Sequence, residues 1–144
     1  MERTSQLKSR GKAPQHPVGA AGGGLWGTFA LLDELREDDH LSPTKFIEVM
    51  HLDVGTFARN AKVHRNTVAR APTSPGVQGH IRDNLRVLRA ASDVAAGDIK
   101  RAIFWFRNEP LREFEYKTAE TLVADGRADD VIRLLESYDA GAAG

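Results

Sequence analysis

Residues 80–96 read HIRDNLRVLRAASDVAA, and this stretch decides the fold. Ile81, Leu85 and Leu88 recur at intervals of three or four residues, and Ala95 falls two turns further along the same face. This spacing is typical of a helix with one apolar side, because an α-helix completes a turn every ~3.6 residues. The sequence therefore predicts one long helix over about these residues, with that side buried in the core.

On the C-terminal side of this stretch, the pattern predicts three further helices. Gly97 ends the long helix and Asp98 caps the next one, which Pro110 stops. Asp125-Gly126 separates the last two helices, since glycine readily adopts the left-handed conformation that ends a helix. The predicted elements are a helix from 99 with Ile99, Ala102, Ile103 and Phe106 inward, a loop at 111–117, helices at 118–124 and 128–138, the latter with Val131, Leu134, Leu135 and Tyr138 inward, and a flexible tail from Ala140.

On the N-terminal side, short helices alternate with turn signals. Ser74-Pro75-Gly76 predicts a turn over residues 73–79. Ser42-Pro43 predicts a helix start, because serine caps well and proline suits the first helical position. The predicted elements are a helix with the apolar stripe Leu25, Phe29 and Leu32 that ends in the acidic run 37–39, a helix after Ser42 with Phe46, Ile47 and Met50 buried, a helix capped by Asp53 with Val54, Phe57 and Ala58, and a helix at about 65–71 closed by Pro72.

These elements predict an all-α fold in three parts. Residues 1–24 have a Pro/Gly/Ala/Lys/Arg composition without an apolar period, so we expect a flexible arm. Residues 25–96 form the first helical domain, and residues 97–144 form the second, smaller one.

Composition restricts the class of protein. Hydrophobic residues make up 41% of the chain and charged residues 28%, as in an ordinary globular protein. Cysteine is absent, which excludes disulfides and thiolate chemistry. No apolar run approaches the ~18 residues that span a bilayer, and residues 2–17 contain no signal-peptide core. We expect a cytoplasmic protein that does not enter membranes.

The net charge is zero, but basic residues are concentrated in the middle of the chain. Residues 57–90 contain seven lysines and arginines against one acidic residue, Asp83. Such a stretch can present a basic patch to a polyanion. It can equally form the solvated, arginine-rich face of a helix, and charge alone does not separate the two interpretations.

Residues 54–71 fit a helix-turn-helix, in which the second of two short helices enters the major groove of DNA. Ala58 supplies the small residue where the helices cross, and Val63 and Val68 supply apolar residues beside the turn. Lys62 occupies a turn position that usually favours glycine. The alternative is a helical core segment whose polar face happens to be basic.

The outer face of this helix pair predicts DNA contacts. Arginine and asparagine can pair with guanine and adenine edges, respectively, while other basic residues contact phosphates. Arg82 and Arg86 are suited to phosphate contacts. The predicted DNA-binding residues are Arg59, His64, Arg65, Asn66, Thr67 and Arg70.

Residues 98–141 carry a resemblance to a known family. The aromatic helix IFWFRN at 103–108 precedes Glu109-Pro110-Leu111, the segment KTAETLV at 117–123, Gly126, and the closing helix DVIRLL at 130–135. This pattern resembles the toxin-binding domain of Xre/MbcA/ParS antitoxins, and the Xre-like helix-turn-helix upstream stands in the order that the family has. Arg112-Glu113-Phe114 replaces the family's usual Gly-Gly, and Thr118 stands near its usual "T/K-P".

The resemblance implies a function. Such antitoxins are encoded beside RES-domain toxins, which degrade NAD or transfer its ADP-ribose to a target protein. The antitoxin's C-terminal domain covers the toxin's NAD-binding cleft, and the complex represses its own promoter. The implied partners are a RES-domain toxin and operator DNA, in a homodimer or a higher hetero-oligomer with the toxin.

We assign the toxin contacts to the C-terminal part of the chain. Asp139 or the carboxylate of Gly144 would occupy the cleft's pyrophosphate-binding donors, and Tyr138 would fill its mouth. Tyr138 can alternatively be the last core position of its helix. Phe104 and Trp105, which point away from the core, can serve either toxin contact or dimerisation. The predicted toxin-binding residues are Phe104, Trp105, Arg107, Leu135, Tyr138, Asp139 and Gly144.

We do not expect an enzyme, a cofactor or a metal site. Gly22, Gly24 and Gly27 match a dinucleotide-binding fingerprint, but no strand precedes them. None of the five histidines stands at ligand spacing from a carboxylate, and no serine or threonine has an activating context. The alternative function is a stand-alone helix-turn-helix regulator whose C-terminal domain only dimerises or senses a ligand.

Overall fold

The computed structural model describes residues 24–143, with side chains for residues 27–141. This part of the chain is mostly helical, which confirms the all-α class. The arm predicted for residues 1–24 lies outside the described residues except for Gly24. The elements are α1 (Gly24–Leu35), β1 (Arg36–Glu37), β2 (His40–Leu41), α2 (Pro43–Val49), α3 (Val54–Ala61), α4 (Arg65–Arg70), α5 (Pro75–Val94), α6 (Ile99–Asn108), a 3-10 helix (Arg112–Phe114), α7 (Ala119–Ala124) and α8 (Ala128–Ala143).

Helix α5 is the centre of the fold and packs against α1, α6 and α8, among others. Its residues Ile81 and Leu88 are buried as predicted, and Val87 is buried as well. The core is one continuous cluster, with Phe46 and Phe57 from the N-terminal part and Phe106 and Leu122 from the C-terminal part. No break in this cluster accompanies the predicted domain boundary after Ala96.

Side-chain caps begin the helices where the sequence predicted them. Ser42 Oγ accepts a hydrogen bond from the backbone N–H of Lys45 at 3.1 Å. Asp53 and Asp98 cap α3 and α6 in the same way. A cap satisfies a backbone donor that the first helical turn leaves without a partner, which is why these polar residues fix the helix starts.

The predicted turn over residues 73–79 is wrong from Pro75 onward, because α5 begins there; only residues 73 and 74 lie outside the helix. Ser74-Pro75 starts this helix as Ser42-Pro43 starts α2, with proline at the first position. Val77 is fully buried there, so packing outweighs the poor helix propensity of the nearby glycines. The Gln78 amide adds an anchor by donating to the carbonyls of Leu41 and Pro72, both at 2.8 Å.

The predicted apolar stripe of α1 is wrong at Phe29, whereas Leu32 is half-buried and packs against the core as predicted. Leu31 and Leu35 are the buried residues, whereas Phe29 is 49% exposed. The helix ends at Leu35 instead of running into the acidic segment, since acidic residues are unfavourable at a helix C-terminus. Arg36–Leu41 instead form a short antiparallel hairpin in which Asp38 takes a left-handed conformation (φ 55°).

Helix α8 is longer than predicted. It continues through Tyr138 to Ala143, over residues that we expected to form a flexible tail. Alanine is the strongest helix former, which favours this continuation. Gly144 lies outside the described residues.

Candidate functional site

The pair α3 and α4 is joined by a tight turn. Lys62 ends α3 in the left-handed conformation (φ 59°, ψ 41°), and the N–H of Val63 donates to the carbonyl of Ala58 at 3.0 Å. Ala58 and Val68 are buried between the elements. This turn position therefore has the positive φ for which glycine is usually favoured, although Lys62 occupies it.

The outer side of α4 collects most of the predicted DNA-binding residues. His64, Arg65, Asn66 and Arg70 are exposed, and Thr67 is half-buried. Among residues 24–143, no carboxylate lies within ion-pair distance of either Arg65 or Arg70. Both guanidinium groups are therefore available to an external anion.

His64 and Arg59 have partners within the chain. His64 caps α4, with its Nδ1 accepting the backbone N–H of Asn66 at 3.0 Å. Arg59 donates to Thr56 Oγ1 at 3.2 Å. Thr56 in turn donates its N–H and hydroxyl to Asp53, and these hydrogen bonds lower the pKa of the Asp53 carboxyl. The network positions the Arg59 side chain beside the start of α3.

Arg82 and Arg86, both predicted to contact phosphates, differ in how free their guanidinium groups are. Arg82 is exposed on α5. Arg86 donates to Asp129 at 2.5 Å and to Asp83 at 3.2 Å, and the bond to Asp129 is the main cause of its raised pKa. Because these carboxylates already neutralise it, Arg86 is poorly suited to bind phosphate.

Three of the predicted toxin-binding residues lie together. Trp105, Leu135 and Tyr138 line one cavity of about 250 Å³ between the end of α5, α6 and α8. Leu135 is a core residue, only 2% exposed, whereas Tyr138 is 40% exposed. A partner could contact the Tyr138 ring directly, but it could reach Leu135 only as the floor of the cavity. Val94 and Arg101 also line the cavity, and sequence reasoning did not select them.

Phe104 lies on a different side of α6 from Trp105. Its side chain is 69% exposed, the highest value among the large hydrophobic residues described. It lines a groove of about 590 Å³ between α1, α2 and α6, with Leu31 and Met50 among the other lining residues. Phe104 and Trp105 therefore do not belong to one surface, although they are adjacent in sequence.

Arg107 has a structural role that the sequence did not indicate. Its Nη1 donates to the backbone carbonyls of Met50 at 2.9 Å and His51 at 3.2 Å. Its Nε lies 3.4 Å from Glu120 Oε2, forming an ion pair without a hydrogen bond. Burial raises the pKa of Glu120, and the charge of Arg107 opposes that rise. Arg107 thus joins α6 to the α2–α3 turn and to α7, with little capacity left for a partner.

The tail of α8, residues 136–143, extends beyond the core. Every residue whose side chain is described there, from Glu136 to Gly141, is exposed, including Asp139. The Tyr138 hydroxyl lies 3.5 Å from Glu113 Oε2. Partial burial raises the pKa of Tyr138, and the negative charge of Glu113 raises it further. The tail therefore presents two carboxylates and one aromatic ring to solvent.

Taken together, the fold and these surfaces define a mostly helical protein with an exposed basic helix pair and an aromatic-lined cavity beside an acidic helical tail. Within residues 24–143, no helix is both long and apolar enough to cross a membrane, and no group of three histidine or acidic residues could hold a metal. Neither a family model nor a curated protein nor a solved structure matches the chain.

Proposed function

We propose that this protein is the antitoxin of a type II toxin–antitoxin system, which inhibits a RES-domain, NAD-consuming or ADP-ribosylating toxin and represses its own operon. The observation that carries the proposal is the meeting of Trp105, Leu135 and Tyr138 at one cavity beside the exposed tail of α8. Aromatic residues at a partly exposed cavity are typical of protein-binding surfaces.

The tail is suited to enter a cleft. Residues 136–143 extend about 12 Å beyond Leu135 at the ~1.5 Å rise per residue of a helix. A pocket that binds the pyrophosphate of NAD needs cationic donors, commonly arginines. Asp139 would pair with such donors, and the exposed part of the Tyr138 ring would cover the mouth of the cleft.

Repression would use a separate surface. Arg65 and Arg70 on α4 have no internal ion pair within the described residues, and Asn66 lies exposed beside them. In this proposal α4 enters the major groove, Arg65 and Asn66 contact base edges, and Arg59 contacts a phosphate.

The test is co-expression with the product of the adjacent gene, followed by co-purification and measurement of NAD turnover. Deleting residues 137–144, or replacing Tyr138 and Asp139 by alanine, should weaken inhibition by roughly tenfold or more, because contacts at the centre of an interface dominate its affinity. Arg112→Ala, a truncation of an exposed side chain on the 3-10 helix, is the matched control. Unchanged inhibition by both tail variants would exclude the capping mechanism.

The free cations on α4 also favour a second candidate, a stand-alone helix-turn-helix regulator. This protein would bind its operator but would elute without a protein partner when co-expressed with the neighbouring gene. If the wild-type protein bound DNA but did not co-purify with the neighbouring gene's product, the second proposal would replace the first.

A further inference from the structure

A second groove lies between α1, the β1–β2 hairpin and α5. It has a volume of about 440 Å³, and its apolar lining includes Phe29, Leu32 and Leu85. Phe29 is 49% exposed, which is high for a phenylalanine beside other apolar residues. A partner that covers this ring would remove apolar surface from water.

The same groove is rich in arginine. Arg36, Arg82 and Arg89 line it, and within residues 24–143 none of them has a carboxylate at ion-pair distance. The acidic lining residue, Asp39, points into solvent and lies 3.7 Å from His40. We call this surface the arginine groove; its uncompensated positive charge favours an acidic occupant with an apolar side chain.

The tail of α8 has the complementary chemistry. Glu136 and Asp139 supply negative charge, Tyr138 supplies an aromatic ring, and the helix C-terminus itself carries a partial negative charge. Helical turns that pack against nothing are marginal in water. A contact that neutralises the tail would therefore stabilise its last turns.

The tail cannot reach the groove of its own chain. Arg86, in the middle of α5, contacts Asp129 near the start of α8, whereas Val94 near the end of α5 shares a cavity with Tyr138. The two helices therefore run side by side in the same direction. The tail projects past the C-terminal end of α5, away from Arg82.

We infer that the tail of α8 of one copy docks in the arginine groove of a second copy. Tyr138 covers Phe29, and the carboxylates with the helix C-terminus face Arg82 and Arg89. The lengths agree, since seven residue steps separate Glu136 from Ala143 and also Arg82 from Arg89, about 10 Å along a helix in both cases. The contact does not depend on the proposed function; where that function holds, self-association and toxin capping compete for one tail.

Sedimentation equilibrium of the full chain at low ionic strength tests the inference. The wild-type protein should self-associate, and added salt should weaken the association. A groove variant (Arg82→Glu with Arg89→Glu) and a tail variant (Glu136→Arg with Asp139→Arg) should each raise the dissociation constant at least tenfold, because like charges then face each other. An equimolar mixture of the two variants should associate again, since every contact in the mixed complex pairs opposite charges.

The control variant, Lys100→Glu with Arg112→Glu, changes the charge equally on exposed residues outside the groove and should associate like the wild type. Circular dichroism checks that each variant is folded; if the groove variant unfolds, the tail variant alone still provides the measurement, because its reversed tail should not enter its own unchanged groove. A monomeric wild-type protein would overturn the inference and leave the groove to an acidic segment of another protein. Association that survives both reversals, or a mixture that stays monomeric, would overturn it as well.

Discussion

We predict that His80 makes the stability of this protein sensitive to acid. Its ring packs edge-on against Phe57 at 5.4 Å, and its Nε2 lies 3.2 Å from the side-chain amide of Asn84. Burial is the largest cause that lowers the His80 pKa from 6.5 to about 4; the charge of Lys62 adds to this, and Asp83 opposes it. The folded protein therefore holds a neutral imidazole at pH values where the unfolded chain is already protonated.

The sign of the effect follows from proton binding. Below pH 6.5 the unfolded chain binds a proton that the folded protein does not bind, so stability is lost as the pH falls from 6.5 towards 4. At about 1.4 kcal/mol per pKa unit the full loss is about 3 kcal/mol, and about 2 kcal/mol of it occurs between pH 7 and pH 4.5.

His80→Phe keeps a ring against Phe57 and removes the titration. Urea unfolding at pH 7 and pH 4.5 should show that the free energy of unfolding falls by about 2 kcal/mol less in this variant than in the wild type. His64→Asn replaces an exposed helix cap by another good cap and serves as the control. Its free energy of unfolding should fall between pH 7 and pH 4.5 by as much as that of the wild type. Equal falls in His80→Phe and the wild type would refute the assignment of the acid sensitivity to this buried ring.

Three other variants test the roles proposed above. Arg107→Met should lower the free energy of unfolding by about 3 kcal/mol, because it leaves a half-buried Glu120 without its cation, and urea unfolding measures this. Lys62→Gly should raise it by about 1 kcal/mol, because glycine adopts the left-handed turn without a steric cost; thermal unfolding measures this. Arg65→Ala with Arg70→Ala should weaken duplex DNA binding several-fold and reduce its salt dependence, as fluorescence anisotropy can show, while the proposed toxin inhibition should be unchanged.

Each of these predictions has an outcome that contradicts it. Arg112 is an exposed arginine without an ion pair in residues 24–143, so Arg112→Met should hardly change the free energy of unfolding. If Arg107→Met had an equally small effect, the anchoring role of Arg107 would be disproved. A destabilised Lys62→Gly protein would mean that the lysine side chain makes a contact worth more than the backbone strain. If the double alanine variant lost toxin inhibition too, the two binding surfaces would not be separate.

Local sequence signals predicted most helix boundaries correctly. Ser42, Asp53 and Asp98 mark helix starts because capping depends on hydrogen bonds within four residues of sequence. Pro72 and Gly126 mark ends for a similar reason, since proline and glycine act through their own backbone conformations.

Features that depend on distant contacts could not be predicted in this way. The spacing of Leu25, Phe29 and Leu32 predicted a buried face of α1 that includes Phe29, but packing against the core instead buries Leu31 and Leu35. Arg107 was predicted as a toxin-binding residue and its anchoring role was missed, because its carbonyl partners at Met50 and His51 are more than fifty residues away in sequence. The arginine groove was missed for the same reason, since Phe29 and Arg89 meet only in the folded protein.

The uninterrupted core has a practical consequence for anyone who wishes to test the two proposed binding activities separately. Cutting the chain after Ala96 would separate α5 from α6 and α8, which pack against it, and would expose core residues such as Phe106 to water. Each half would then be prone to aggregate, and lost binding would say nothing about which residues bind. Point substitutions in the intact polypeptide are the informative route.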